Sequence, residues 1–214
     1  VSGDSGITVM CRSATDSHQS ELTFMKTPAT SGNYTATADG EALGVIKFRG
    51  VNTSSVSDIG AQIRAVQNGT ASGTVPTDLV FTTNETDRLT INASGASTFT
   101  GSLKSLTYQE TYVSKSAAST VACDLATANH FAVTLDQNTT FTFSNPPSSG
   151  TSFSFTLIIT QHSTAVTLTW PNTVDWAGGS APDAAGNNEV QAYGFITRDG
   201  GTTYYGFLGG TAIG

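Results

Sequence analysis

Between Thr139 and Gln161 the chain reads TTFTFSNPPSSGTSFSFTLIITQ, with Phe141 and Phe143 alternating with Thr and Ser before a break, and Phe153, Phe155, Leu157 and Ile159 alternating after it. A strand sends successive side chains to opposite faces, so this period of two predicts half-buried strands with an apolar face and a hydroxyl face. The intervening Asn145-Pro146-Pro147-Ser148-Ser149-Gly150 supplies fixed φ angles and a permissive Gly, and predicts a hairpin joining the two strands.

Earlier in the chain, similar segments start at Ile7 (ITVMCRS), Glu21 (ELTFMKT), Leu43 (LGVIKFRG), Ile59 (IGAQIRAV), Asp78 (DLVFTTN) and Arg88 (RLTIN). Turn-forming stretches such as VNTSSVSD and QNGTASGTVPT separate them, and the short spacing predicts an all-β arrangement. IGAQIRAVQ also fits a short helix, because Ile59, Ile63 and Val66 recur at i, i+4 and i+7; its neighbours favour strand. After the polar segment SLTYQETYVSKSAAS come YVSKS, TVACDL, HFAVTL, TTFTFSN, SFSFTLIIT, AVTLTW, VQAYGFITRDG and TTYYGFLGG. These predict a β-sandwich, jelly-roll-like, in the second half. Arg198-Asp199-Gly200-Gly201-Thr202 predicts a tight hairpin between the last two strands. The boundary falls after Leu103, giving an N-terminal β module over 1–103, a fibre shaft or sandwich, and a C-terminal sandwich over 104–214.

Composition sharpens this picture. Only 12% of residues are charged, about half the usual share, while 37% are hydrophobic. The outward faces are therefore built from Ser and Thr instead of Lys and Glu. Regular apolar alternation argues against disorder. The formal net charge of −7 and scattered basic residues exclude a phosphate-neutralising nucleic-acid surface, and no run approaches the ~20 apolar residues of a membrane span. The chain opens on Val1 without an apolar leader, as expected of a processed or truncated piece. Cys11 and Cys123 are far apart in sequence and read as two buried thiols. Sequons at Asn33, Asn52, Asn68, Asn84, Asn92 and Asn138 are what a chain rich in Asn, Ser and Thr produces by chance.

Candidate chemistry is sparse. His18, His130 and His162 occur singly, and although Asp4-Ser5 and Asp16-Ser17-His18 bring acid, hydroxyl and imidazole close in sequence, no GxSxG elbow accompanies them. The acidic residues sit mostly in turns, Asp183 to Glu189 misses the calcium-loop spacing, and no Cys/His cluster has metal-ligand spacing, so neither an enzyme nor a cofactor is expected. Trp170 continues the alternation of Val166 and Leu168 and reads as core. Trp176 lies in the longest unpatterned connection, Pro171 to Glu189. That loop combines Asn172, Asp175, Trp176, Asn187 and Asn188, an aromatic plane with amides and a carboxylate, which is a set suited to binding a sugar; the bland alternative is that Trp176 caps the fold.

Two segments carry a family resemblance. LVFTTNETDRLTINASGASTFTGSL, from Leu79 to Leu103, resembles a recurrent element of bacteriophage tail-fibre and related virion proteins, with Asp87 where the family usually has Glu. DQNTTFTFSNPPSSGTSFSFTLIITQ, TLTWPNTVDWAGGSAP and FITRDGGTTYYGFLGG resemble the C-terminal module of such fibres. The resemblance implies a parallel homotrimer on a virion, joined to other virion proteins at its N-terminal end and contacting a host-surface glycan or other receptor. A purely architectural capsid or tail decoration is the alternative, with a polysaccharide-degrading tail spike behind it.

Overall fold

The computed structural model describes residues 7–15, 17–30 and 32–213, and every regular element among them is a β-strand. The chain divides into two compact units, Val1–Ser105 and Leu106–Gly214.

The first unit is a single antiparallel meander of β1 (Ala42–Val51), β2 (Ser57–Gln67), β3 (Thr77–Thr83), β4 (Thr86–Ile91) and β5 (Ser97–Phe99), hydrogen-bonded in that order. The segment from Ile59, ambiguous by periodicity, lies within β2. Two of its turns are built alike. The Asn52 Oδ1 accepts the N–H groups of Ser54 and Val56 at 3.0 and 3.1 Å, and the Asn92 Oδ1 accepts those of Ser94 and Ala96 at 3.0 and 2.9 Å. These sequon asparagines thus serve as turn formers through their side-chain carbonyls.

The strands expected from Ile7 and Glu21 do not form. Alternation gives a segment an apolar face but no hydrogen-bonding partner, and the sheet ends at β1, which pairs only with β2. The N-terminal segment is tied down by side chains instead: Lys26 meets Glu41 at 3.2 Å, Thr37 bonds Gln67, and Phe24 lies against Gly44.

Register assigns the faces of this sheet, because residues directly paired across antiparallel strands point the same way. One row runs Ile46–Ile63–Phe81–Leu89–Phe99, flanked by Gly44–Ala65–Leu79–Ile91 and by Phe48–Ala61. None of these side chains is charged; charge on this face stands at its rim, where Arg88 at the bulge of β4 donates to the Thr83 hydroxyl at 3.0 Å and Asp58 pairs with Gly50. The opposite face holds Lys47, Gln62, Arg64, Thr82 and Asp87, with the Arg64 Nη2 donating to both Asp87 carboxylate oxygens at 2.9 and 2.7 Å.

The second unit has two sheets. One has six strands in the order β12 (Val174–Trp176), β14 (Tyr204–Gly210), β13 (Val190–Thr197), β10 (Phe153–Thr160), β8 (His130–Thr134) and β6 (Tyr112–Lys115); the other has three, β11 (Leu168–Thr169), β9 (Thr139–Ser144) and β7 (Thr120–Asp124). From β6 to β12 successive strands alternate between the sheets, so β6, β8 and β10 pair in parallel in one, and β7, β9 and β11 in the other. A jelly roll is built from antiparallel Greek keys; this unit is paired differently.

The predicted hairpin at Asn145–Gly150 is corrected in the same way. β9 and β10 lie in different sheets, and the connection is an arch across the core. Phe143 and Phe155 still meet, edge to face with centroids 4.9 Å apart, because both strands turn their apolar faces inward from opposite sides. Only the last two strands form the expected hairpin: β13 and β14 are antiparallel, and Gly200 and Gly201 adopt φ of 70° and 77°, which β-carbon-bearing residues resist. Across that turn the Asp199 carboxylate accepts the Thr203 N–H at 3.0 Å, the main cause holding its pKa below the ordinary value.

The core lies between these two sheets and includes Val121, Cys123, Phe131, Leu135, Phe141, Phe155, Leu157, Tyr193 and Phe195. Of the two cysteines only Cys123 is buried; Cys11 is exposed, in the segment that found no sheet partner. Burial raises the Cys123 thiol to about 12 from 9.0. A raised native pKa stabilises the fold fully below the unfolded value, so its contribution should be complete below pH 9 and fade as pH rises toward 12. A thiol reagent at pH 8 should label Cys11 at once and Cys123 only after unfolding; mass-mapped labelling of both in the native protein would contradict the packing.

Candidate functional site

The connection Pro171 to Glu189 is more ordered by contacts than its composition suggests. Val174–Trp176 forms the edge strand β12, parallel to β14, with Trp176 paired to Gly206. The Trp176 ring stands edge-on to Trp170 at 5.1 Å and lies 5.6 Å from Phe195 and 6.0 Å from Tyr193. Trp170 in turn stacks on Phe141 at 4.9 Å, joining both tryptophans to the core. Trp170 is thus placed as its alternation predicts, and Trp176 closes the same aromatic cluster from the sheet edge.

The far end of the connection is pinned to a different place. The Asn187 Oδ1 accepts the Ala165 N–H at 2.9 Å, Asn188 at φ 61° donates its N–H to the His162 carbonyl at 3.3 Å, and the Glu189 carbonyl accepts from the Gln161 N–H at 2.9 Å. Buried Gln191 donates to the Asp183 carbonyl at 2.9 Å and accepts the Tyr193 hydroxyl at 2.7 Å. Tyr193, desolvated there, is raised to about 12.

The candidate set is therefore divided. Through β14, Trp176 is level with Phe195, whereas Asn187 and Asn188 precede Val190 at the other end of β13. Five residues of strand, about 17 Å, separate those levels. Asn172 and Asp175 are exposed near Trp176; Asn187 and Asn188 are exposed as well, the first with its Oδ1 committed to the Ala165 N–H.

No family model matches the chain, and no curated protein is significantly similar to it.

The other candidates are scattered. His18 is exposed and its Nδ1 lies 2.7 Å from the Ser13 hydroxyl, while Asp4, Ser5 and Asp16 fall outside the described residues. His162 bonds the backbone of Thr164 in its own turn. Trp176→Ala is expected to cost about 3 kcal/mol, the range of large-to-small changes against a core, and Asn187→Ala about 1 kcal/mol for one lost side-chain bond. Denaturant titration followed by far-ultraviolet circular dichroism measures both; equal small losses would mean that the Trp176 ring contributes no packing.

What the sequence missed is a grouping it could not show. Glu110, His130, Thr156 and Phe207 come from four separated segments, and only the order β14–β13–β10–β8–β6 brings them onto one sheet face. The available signal was that two of them alternate with core residues, His130 with Phe131 and Thr156 with Phe155.

Proposed function

We propose that this chain is a non-enzymatic adhesion and structural module of a bacteriophage virion, a tail fibre or similar surface appendage, that assembles as a parallel homotrimer and contacts a host-surface glycan. The observation that supports self-assembly best is the exposed apolar face of the first sheet, which Phe24 covers in part, at Gly44. Phe48 is 55% exposed, Phe99 46%, Ile46 42% and Leu79 38%, and among the described residues of this unit only Val80 is a buried apolar side chain. A sheet with one apolar face needs a second layer to bury it. Five strands at ~4.8 Å and six residues at ~3.3 Å make a face of roughly 24 by 20 Å before side-chain relief. Its central rows are uncharged, with Arg88 and Asp58 only at the rim, so the face is compatible with its own copies.

The uncharged Ser/Thr surface fits the same reading. Thr140 and Thr142 on β9 and Ser154 on β10 point away from the core, giving a surface that hydrogen-bonds water with little dependence on salt. Adsorption of the fluorescently labelled protein to a panel of bacterial strains, before and after periodate oxidation of surface sugars, tests the adhesive part. Adsorption abolished by periodate is the expected result. Failure to adsorb to any strain by a protein that still self-associates would favour the architectural decoration instead.

A further inference from the structure

The outer face of the six-stranded sheet carries a row fixed by register: Tyr112 on β6, His130 on β8, Thr156 on β10, Gly194 on β13 and Phe207 on β14. At its centre the Phe207 ring lies down over Gly194; a Cβ at 194 would fall 2.4 Å from the ring, so only glycine lets the ring approach the sheet this closely. A glycine inside a central strand weakens it, and a close approach is the usual reason for one. Phe207 is 42% exposed, so one face of the ring is laid on the sheet and the other meets solvent.

Across the row stands a fixed polar wall. The His130 Nε2 lies 2.5 Å from the Glu110 carboxylate and its Nδ1 2.5 Å from the Thr156 hydroxyl. In the tautomer that carries its proton on Nε2, the ring donates to Glu110 and accepts from the Thr156 hydroxyl. The ring cannot turn without breaking both bonds. Between wall and aromatic plane is a concavity of about 340 Å³, also lined by Asn129, Ser154 and Ile196. That volume is at the lower end of small-molecule sites.

We propose that this concavity binds a neutral sugar residue, its C–H face on Phe207 and its hydroxyls bonded to Glu110 and Asn129. The inference rests on the adhesive reading above and gives it a site other than the Pro171–Glu189 connection. An aromatic plane beside a carboxylate and an amide is the pairing that a pyranose requires, one apolar face and a rim of donors. Acidic sugars are disfavoured, since Glu110 carries the charge in this lining, no Lys or Arg lines it among the described residues, and the chain has a net charge of −7.

Saturation-transfer NMR on the full chain, with methyl glucoside, methyl mannoside and N-acetylglucosamine as neutral probes and glucuronic acid as the acidic one, tests it. At least one neutral probe should bind and glucuronic acid should not. Phe207→Ala should weaken binding about tenfold or more, the equivalent of one lost stacking contact. Glu110→Gln, which leaves the aromatic packing untouched, should weaken it about fivefold. Glu110→Gln should keep the wild-type melting temperature, Phe207→Ala should remain folded with a lowered one, and both should keep the wild-type sedimentation mass. Binding that survives both but is lost in Asp175→Asn would move the site to the Pro171–Glu189 connection and overturn this one. A Phe207→Ala protein with altered mass would make the face a contact between copies, which also overturns it. If no neutral probe binds yet the protein adsorbs to cells, the sugar site is wrong and adhesion stands; if neither occurs, both fall.

Discussion

Phe155→Ala is expected to destabilise the C-terminal unit by about 4 kcal/mol, the middle of the range for removing a buried aromatic ring. Phe155 is 2% exposed and stacks on Phe195 at 4.9 Å, while Phe143 meets it edge-on at 4.9 Å from the opposite sheet and Phe131 and Tyr204 lie near 6 Å. Truncation therefore opens a cavity where the two sheets meet, and backbone hydrogen bonds on both sides restrain collapse into it. For a unit of this size the change corresponds to a fall of about 20 °C in Tm. Both tryptophans of the chain, Trp170 and Trp176, pack against this core, so intrinsic fluorescence follows this unit alone. A loss below about 1 kcal/mol would mean that the sheets do not share the aromatic core.

Phe48→Asp is expected to break the assembly while leaving the first sheet folded. Phe48 is 55% exposed within its own chain, so a carboxylate there remains solvated in the monomer. In an assembly that buries the apolar row of Ile46, Ile63, Phe81 and Phe99, the same carboxylate would be left without a partner, at a cost of several kcal/mol per chain. Light scattering should report the single-chain mass with an unchanged strand signal in circular dichroism. A variant that keeps the wild-type mass would place the contact between copies elsewhere.

The strands of the second unit were legible in the sequence because the period of two is a local property. Phe153, Phe155, Leu157 and Ile159 point inward or toward the core as their alternation requires, and the Asp199-Gly200-Gly201 turn joins the strands it was expected to join. The pairing was not legible. Asn145-Pro146-Pro147-Ser148-Ser149-Gly150 reverses the chain equally well as a hairpin within one sheet or as an arch between two, and both outcomes keep Phe143 and Phe155 facing a common core. Choosing between them depends on which strand lies alongside, and β10 lies beside β8 and β13, segments distant in sequence. The segments from Ile7 and Glu21 show the converse, apolar alternation without an edge to join. For the candidate site, loop composition left Trp176 as either a sugar-binding plane or a cap and treated nineteen consecutive positions as one place, whereas β12 and the Asn187–Ala165 bond fix its two ends at different levels of the sheet. His130 read as isolated because Glu110 and Thr156 reach it only through strand order.

Sedimentation equilibrium of the intact wild-type protein tests self-association through the first sheet most directly. The predicted result is a mass three times that of the 22.1 kDa chain, held on dilution and only weakly dependent on salt, as a contact centred on apolar side chains should be. A protein that sediments at 22.1 kDa across the concentration range, with its strand signal intact, would contradict it.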